Sequence, residues 1–544
     1  MPLVTFKYND FINLLGYKIP KEKLIEKLPM IGGDFSHVTG DEINIEFFPN
    51  RPDLTSVEGI ARASRAFFEF KTGLQTYEVA TSDVSLTVDP SVKKIRPFVT
   101  TALVKNITMT DELITSLMGL QEKLHVGLGR NRKKVAIGVH NAEPVTPPFF
   151  YKAVDPDTVS FVPLAKDEPM TLREILKKHE KGVDYAHLLK GFDKYPLIVD
   201  ARNNVLSFPP IINGSLTEVT PSTKEVFIDV TGNDRKAINY ALNIVTTALA
   251  ERRGTIYQTT VLEDGKKIVS PDFTAVKQHI SVAFVNTILG TRFKEKDVVT
   301  CLKKMGHNAV DSGDDRIAVE IAAWRSDILH EVDLVEDVAV GFGFDLFETD
   351  FPKALTFGRT LPCHNLLEGL RGIMIGVGFN EVTTFVLSNE EDEFHRMGLI
   401  KGKMVKIENP IGEEYSGLRM SLLSSLFKIL QENRHHPLPQ QIFEVGVVVD
   451  EQAKNRHHLA GMKIDAKANF TECKSLVETV LRECGCKPVI KEKSHVAFID
   501  GRCASVLKND TEIGVFGELH PKTIQAFHLE HPIIAFELAA DFLQ

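Results

Sequence analysis

The stretch Val226-Phe-Ile-Asp-Val-Thr-Gly-Asn-Asp-Arg-Lys-Ala237 reads as a strand, a turn and the start of a helix. Val226 to Val230 has the β-branched and aromatic composition of a strand, and Gly232-Asn233-Asp234 supplies turn residues. Arg235 to Glu251 then follows a helical pattern. The two-residue period of a strand puts Asp229 and Thr231 on one face. An acid and a hydroxyl so placed can position a water or bind an amine. Residues of these types also bond their own backbone in turns, which is the competing reading.

Around this unit, residues 80–270 are rich in short strand patterns such as Val135-Ala-Ile-Gly-Val139, interrupted by helical stretches such as Met170 to Lys178. Just before the first lies Gly127-Leu-Gly129-Arg130-Asn-Arg132-Lys133-Lys134, four cations within five residues. Such a loop can hold phosphates, or be a solvated loop. Its Gly-x-Gly lacks the third glycine of a dinucleotide signature. Residues 1–79 carry a short helix, Asn9 to Leu15, closed by Gly16. A second helix follows the rigid turn Phe48-Pro-Asn-Arg-Pro-Asp53. Thr55-x-x-Glu58 fits its capping box, Ile60, Ala63, Phe67 and Phe70 its apolar spacing, and Gly73 its end. Residues 271–350 read as a small helical module with a β wing, with helices over Phe284 to Leu289, Glu295 to Met305 and Ile328 to Val340 and a strand over Arg316 to Ala322. In residues 355–544, helices are predicted over Leu366 to Val377, Ser421 to Glu432 and Glu472 to Glu483, and strands over Ile442 to Val449 and Glu512 to Phe516. Without regular alternation, this favours an antiparallel sheet with helices on one side. The fold class is α+β and multidomain, with mixed and antiparallel sheets.

The sharpest charged pattern is Asp327-Ile-Leu-His-Glu-Val-Asp333-Leu-Val-Glu336-Asp337. Asp333, Glu336 and Asp337 are spaced i, i+3, i+4, so they are neighbours on a helix, opposite an apolar face of Ile328, Val332, Val335, Val338 and Ala339. Asp327 falls on or just before the first turn. On spacing alone this is a solvated acidic face; a hard divalent cation with oxygen ligands would also offset the crowded charge.

Composition narrows the classes. Over 544 residues, 43% hydrophobic and 25% charged residues exclude disorder as the main state. With 64 Lys and Arg against 73 Asp and Glu, the net charge of −9 argues against coating nucleic acid by bulk charge. The N-terminal residues lack the apolar core of a signal peptide, and no stretch of about 18 apolar residues suggests a membrane span. Six scattered cysteines, without Cys-x-x-Cys, point to reduced thiols and a cytoplasmic setting. No P-loop, zincin or Gly-x-Ser-x-Gly motif occurs, and His435-His436 and His457-His458 read as surface histidines.

At these residues the chain resembles the β subunit of phenylalanine–tRNA ligase, of the short archaeal type. Five motifs match in order. Phe48-Pro-Asn-Arg-Pro-Asp-Leu-Thr-Ser-Val-Glu-Gly-Ile-Ala-Arg62 resembles the N-terminal signature. Leu128-Gly-Arg-Asn-Arg132 with Ala136-Ile-Gly-Val-His140 resembles the central domain, as do Leu206-Ser-Phe-Pro-Pro-Ile-Ile-Asn213 and Asp229-Val-Thr-Gly232. Trp324-Arg-Ser-Asp327 through Asp337 resembles a small helix-turn-helix-like domain. Glu408-Asn-Pro-Ile, Leu418-Arg-Met-Ser-Leu-Leu423 and Phe443-Glu-Val-Gly446 resemble the C-terminal domain.

The resemblance implies an (αβ)₂ heterotetramer that charges tRNA(Phe), with ATP and phenylalanine bound by the partner α chain. It assigns 1–79 to an N-terminal α+β domain, 80–270 to a tRNA-editing domain and 271–350 to a metal-binding domain. It assigns 355–544 to a noncatalytic class II synthetase-like domain contacting α. Adenylate chemistry needs an arginine near the C-terminal motif, and none follows Arg502. Leu422, Leu426 and Leu430 then fit a surface packed on α, or internal core. Matched by motif, Ser207, Asp229 and Thr231, with Leu197, form a pocket that hydrolyses Tyr-tRNA(Phe). Mg²⁺ is implied on Asp327, Asp333, Glu336 and Asp337, in a structural or interface role. Unlike the longer bacterial β chains, this one passes from Glu78 directly to the central domain and is expected to lack an anticodon-reading domain. A freestanding hydrolase of mischarged tRNA and a noncatalytic binding scaffold are the alternatives.

Overall fold

Alternation makes the first strand. Val4 and Phe6 are buried between exposed neighbours in β1 (Leu3–Lys7). Helix α1 (Tyr8–Leu15) follows and ends on Gly16, whose φ of 76° only glycine adopts without strain. β2 (Gly33–Thr39) and β3 (Glu42–Phe47) complete an antiparallel sheet in the order β1-β3-β2. Helix α2 (Val57–Phe67) is capped one residue later than predicted. The Ser56 side chain accepts the Gly59 N–H, while Thr55 bonds back to Pro52 O. Glu58 is no capping-box partner: it is buried and accepts from Ser116 and Arg252. The helix ends well before Gly73.

This computed structural model describes all residues except 1, 350, 352–355, 488 and 544, so the expected domain limits at 1, 350, 355 and 544 lie outside the described residues. The chain divides into two compact units, 1–350 and 351–544.

Two sheets fill the middle of the first unit. One is five-stranded, built from β4 (Val79–Ala80), β6 (Phe98–Lys105), β7 (Val135–Asn141), β12 (Val226–Gly232) and β13 (Thr255–Tyr257) in the order β4-β13-β6-β12-β7. The other is seven-stranded. It contains β5 (Ser85–Val88), β8 (Phe149–Val154), β9 (Tyr195–Val199), β10 (Val205–Phe208), β11 (Ile212–Asn213), β14 (Thr259–Glu263) and β15 (Lys266–Ser270), in the order β11-β10-β9-β8-β5-β14-β15. The strand that opened the reading, β12, is buried on both faces. Val226, Ile228 and Val230 pack with α3 (Asp111–Val126) and α4 (Arg235–Glu251). Phe227 packs with Leu86, Phe149 and Tyr151 of the second sheet. Asp229 and Thr231 share Phe227's parity and therefore face the second sheet.

The small module keeps its expected parts: a sheet of β16 (Val276–Ser281), β18 (Arg316–Ile321) and β17 (Asn308–Gly313), with α5 (Val282–Leu289), α6 (Glu295–Lys304) and α7 (Glu331–Phe342). Helix α7 starts four residues after Asp327, so that residue lies in the preceding loop. Val332, expected on the apolar face, is exposed, while Asp337, expected on the polar face, is buried.

The second unit is built on one seven-stranded sheet. Its strands are β19 (Asn380–Glu381), β20 (Gln440–Val449), β21 (Asn455–Ile464), β22 (Val489–Glu492), β23 (Phe498–Lys508), β24 (Thr511–Leu519) and β25 (Ile533–Ala539). Their order is β19-β20-β21-β25-β24-β23-β22, antiparallel except at β19–β20. Helices cover both faces, not one. Phe443, Val445 and Phe536 pack with α8 (Pro362–Gly376) and α10 (Phe470–Glu483). Ile442, Val448 and Ala535 pack with α9 (Leu423–Glu432) and α11 (Pro521–Ala526). Strands such as β25 are apolar without alternation, and such runs need cover on both sides. Leu422, Leu426 and Leu430 are internal core. Among the described residues no helix is long and apolar enough to cross a membrane.

Candidate active site

A cavity of about 320 Å³ opens beside β7, walled by α3, by the residues following β10 and by β12. Asp229 is opposite Gly138 in the β12–β7 pairing. A Cβ on Gly138 would lie 2.2 Å from Asp229 Oδ2 and 2.6 Å from His140 Nε2, so the strand is bare there to admit the carboxylate. His140 Nε2–H donates to Asp229 Oδ2 at 2.7 Å, and Ser207 Oγ donates to the same oxygen at 3.4 Å. The other His140 nitrogen, Nδ1, bonds Thr217 Oγ1 at 2.8 Å. The chain Thr217–His140–Asp229–Ser207 is buried throughout. The second Asp229 oxygen, Oδ1, has no hydrogen bond among the described residues and is not buried from solvent, so it faces the cavity.

Thr231 is held differently. Arg96 donates Nε–H to its Oγ1 at 2.8 Å and Nη2–H to its carbonyl at 2.7 Å. A guanidinium only donates, so Thr231 Oγ1 accepts and its own hydrogen is left for another partner. Burial pulls the Arg96 pKa down to about 10, against the pull of Tyr151 and Asp229, so the group is still cationic at neutral pH. At the opposite wall, Glu122 is pulled down to about 2 by its neighbours His125, whose Nδ1 is 3.6 Å away, and Arg132, whose Nη2 is at 2.7 Å, against desolvation.

Of the residues predicted for this pocket, Ser207, Asp229 and Thr231 come together on its wall. Leu197 packs in the core with Leu172 and with Phe208, itself a wall residue. His140, Thr217, Arg96 and Gly138 carry the geometry and were not singled out as site residues. A glycine breaking the apolar strand 135–139, two residues before a histidine, is the signal that could have found two of them. The basic loop is partly consumed by structure. Arg132 is buried, bonded to Pro210 O and Ile211 O and stacked on Tyr185, and Lys134 pairs with Asp234. Arg130 and Lys133 stay exposed.

The acidic residues of α7 are brought together around a cation of this chain. Arg325 Nη2 reaches Asp327 at 2.7 Å and Asp337 at 2.8 Å, and His307 Nε2 lies 2.6 Å from Asp337. Burial works against the Asp337 carboxylate, but Arg325 and His307 outweigh it and hold its pKa well below the usual range. Asp333 Oδ2 accepts the Leu329 and His330 N–H groups at 2.7 Å each, capping the helix. Glu336 is exposed, its pKa raised by partial burial and then by Asp337, Asp327 and Asp333. Among the described residues no three His, Cys, Asp or Glu side chains converge to hold a metal ion. As arranged in this chain, the four residues do not fit the implied Mg²⁺: two are spent on Arg325 and one on the helix N-terminus.

The chain thus joins a first unit that holds a pocket between two sheets to a second unit built on one seven-stranded sheet. Comparison with known proteins gives its family. A family model described as tRNA synthetase B5 domain matches residues 278–344, and one described as phenylalanyl tRNA synthetase beta chain CLM domain matches 348–540. The phenylalanine–tRNA ligase beta subunit of Methanothrix thermoacetophila is 44% identical over 540 residues, 99% of each chain. That of Methanocaldococcus jannaschii is 40% identical over 549 residues, covering 99% of this chain and all of its own. The crystal structure of an N-terminal fragment of the Pyrococcus horikoshii β subunit superposes with a TM-score of 0.61 at 35% identity, covering 63% of this chain and 99% of the fragment. The chain belongs to the phenylalanine–tRNA ligase β-subunit family.

Proposed function

We propose that this chain assembles with an α subunit as an (αβ)₂ phenylalanine–tRNA ligase and supplies hydrolytic editing of Tyr-tRNA(Phe). In this reading α binds ATP and phenylalanine and performs aminoacylation of tRNA(Phe). Residues 355–544 are a class II synthetase-like domain without catalytic motifs, serving assembly. The observation that carries the editing assignment is that the buried Ser207, Asp229 and Thr231 line one wall of the cavity, with His140 bonded to Asp229 behind them.

The physical need is plain. A pocket shaped for phenylalanine rejects an analogue that merely adds a hydroxyl only about 100-fold, so correction after transfer is useful. A second pocket whose buried groups hydrogen-bond the tyrosine hydroxyl discriminates far better, because phenylalanine leaves those groups unpaired. Here Asp229 offers an acceptor and Thr231 a donor, two residues apart on one strand face, roughly 7 Å along the chain. The Ser207 hydroxyl lies on the same wall, 3.4 Å from Asp229 Oδ2.

The test uses the full chain co-purified with its α partner. Asp229→Ala, Thr231→Val and Ser207→Ala should each slow Tyr-tRNA(Phe) hydrolysis at least ~10-fold, as for loss of one preorganised polar group. Phenylalanine-dependent ATP–pyrophosphate exchange should be unchanged. Normal hydrolysis in all three variants would overturn the assignment. Exchange activity in the isolated chain would overturn the division of labour.

A further inference from the structure

We propose that a small cavity between the N-terminal part and the small module binds one monatomic anion, chloride at physiological composition, through the unused edge of the Arg62 guanidinium and through Lys71. The site is separate from the pocket between the two sheets and does not depend on the editing reading.

Three observations support it. First, the cavity, about 30 Å³, is lined by five cationic side chains, Arg51, Arg62, Arg65, Lys71 and Arg325, and by one acidic one, Asp53. Three of the cations are already paired: Arg51 with Asp53 at 2.8 Å, Arg65 with Glu251, and Arg325 with Asp327 and Asp337 at 2.7 and 2.8 Å. Arg62 and the exposed Lys71 have no ion-pair partner among the described residues. Second, Arg62 is only 6% exposed, so its charge is buried. Its Nη1–H donates to Thr247 Oγ1 at 2.8 Å, and its guanidinium carbon lies 4.4 Å from the centre of the Trp324 ring. The edge formed by Nε and Nη2 has no acceptor among the described residues: Nη2 is buried without a partner, and Nε makes no hydrogen bond. Tyr77, Asp53 and Glu251 favour its charge from nearby. The Tyr77 hydroxyl donates to Glu251, however, and the two carboxylates pair with Arg51 and Arg65. Third, that edge is the one its neighbours use. Arg51 sends Nε–H and Nη2–H to the two oxygens of Asp53 at 2.8 Å each, and Arg325 sends the same pair to Asp327 at 2.9 and 2.7 Å. Arg62 thus presents the anion-gripping edge of a guanidinium to an empty place.

Chemistry selects the ligand. A buried cation is costly unless it is paired, and neither the threonine hydroxyl nor the indole carries the charge that would pair it. A water in the cavity would take the hydrogens and leave the charge, whereas an anion takes both. The size of the cavity sets which anion. About 30 Å³ is the share of one water in the liquid, so a halide ion fits and a phosphate or sulfate does not. Arg62 lies on α2 and Lys71 in the segment after it, while Met305, Gly306 and Arg325 of the small module complete the wall. The ion is therefore structural: it ties the small module to the N-terminal part, and opening of the junction releases it.

Two measurements on the full chain, co-purified with its α partner, test this. Crystals soaked in sodium bromide and measured at the bromine absorption edge should show an anomalous peak in the cavity, against the Arg62 edge. Crystals of Arg62→Met, which keeps the aliphatic stem and drops the charge, should show none. In solution, amide hydrogen exchange is followed by mass spectrometry while chloride replaces gluconate, an anion too large for the cavity, at constant ionic strength. Peptides covering 57–75 and 303–325 should exchange about tenfold more slowly for each tenfold rise in chloride above its dissociation constant, since only the closed junction binds the ion. Sulfate in place of chloride should have no such effect. Arg62→Met should abolish the dependence, and Lys71→Met should shift it to higher chloride. Lys71 is exposed, so its replacement leaves the fold in place. Should Arg62→Met fail to fold, a dependence in Lys71→Met identical to that of the unmodified chain overturns the inference. A cavity without bromide, or bromide retained in Arg62→Met, overturns it as well. Exchange indifferent to chloride does the same, and bromide seen in such a case is an ion bound at crystal concentration only.

Discussion

At the scale of single residues, position 138 decides whether the site can exist. Replacing Gly138 with alanine puts a methyl group 2.2 Å from Asp229 Oδ2, so the carboxylate or the imidazole must move. We expect Tyr-tRNA(Phe) hydrolysis to fall at least ~10-fold, while stability drops by about 1–3 kcal/mol for overpacking. Rates and chemical denaturation, measured together, separate the two effects. Asp337 gives a second residue-level prediction. Its pKa is depressed in the fold, so its stabilisation is complete above the unfolded value near 4 and is lost as pH falls below it. Asp337→Asn should cost about 3–5 kcal/mol at neutral pH, because Arg325 and His307 lose a buried partner, and clearly less at pH ~3. A cost independent of pH, in denaturation curves at both values, would contradict the ion-pair account. Asp229 and Thr231 were legible because strand parity is local. His140 and Arg96 were not, because their partners lie 89 and 135 positions away, and no local pattern encodes such pairs.

Elements were read better than their ends. Most predicted helices and strands exist within a few residues, since apolar periodicity reports the buried face directly. The entry to α2 shows where this stops. Thr55 and Ser56 are both capping residues by type, and Thr55 had the better sequence signature because Glu58 follows at the box spacing. Glu58 is instead drawn away by Arg252, a residue of the central part. Ser56→Ala should therefore cost about 1 kcal/mol and Thr55→Ala less, checked by urea denaturation of the two variants. The helices on both faces of the second unit's sheet escaped for a related reason. A strand buried on two sides has no alternation to read, so the count of covered faces is missing from its pattern. The acidic face of α7 misled in the opposite direction. Its spacing is real, but Arg325, which turns Asp327 and Asp337 inward, lies upstream in a segment with no regular period.

The whole molecule comprises two units whose interiors have little in common. In the first, the N-terminal, central and small parts are tied by long-range polar contacts. Arg252 pairs with Asp10 and Glu58, Arg65 with Glu251, and Arg62 bonds Thr247. Residues from the small part, Ala322 and Trp324, lie in the central core with Leu74 and Tyr77 beside them. These three parts should therefore unfold together. Trp324 is the chain's one tryptophan, stacked 4.4 Å from the Arg62 guanidinium and edge-on to Tyr77. The molecule thus carries a built-in optical label confined to one unit. Excited near 295 nm, all emission comes from the place where three parts of the first unit meet. We expect it to shift to the red in a single step as that unit unfolds, and to stay silent while the second unit melts. Circular dichroism, which sees both units, would then show any transition that the fluorescence misses, and the difference between the two curves would isolate the second unit's stability in the intact chain.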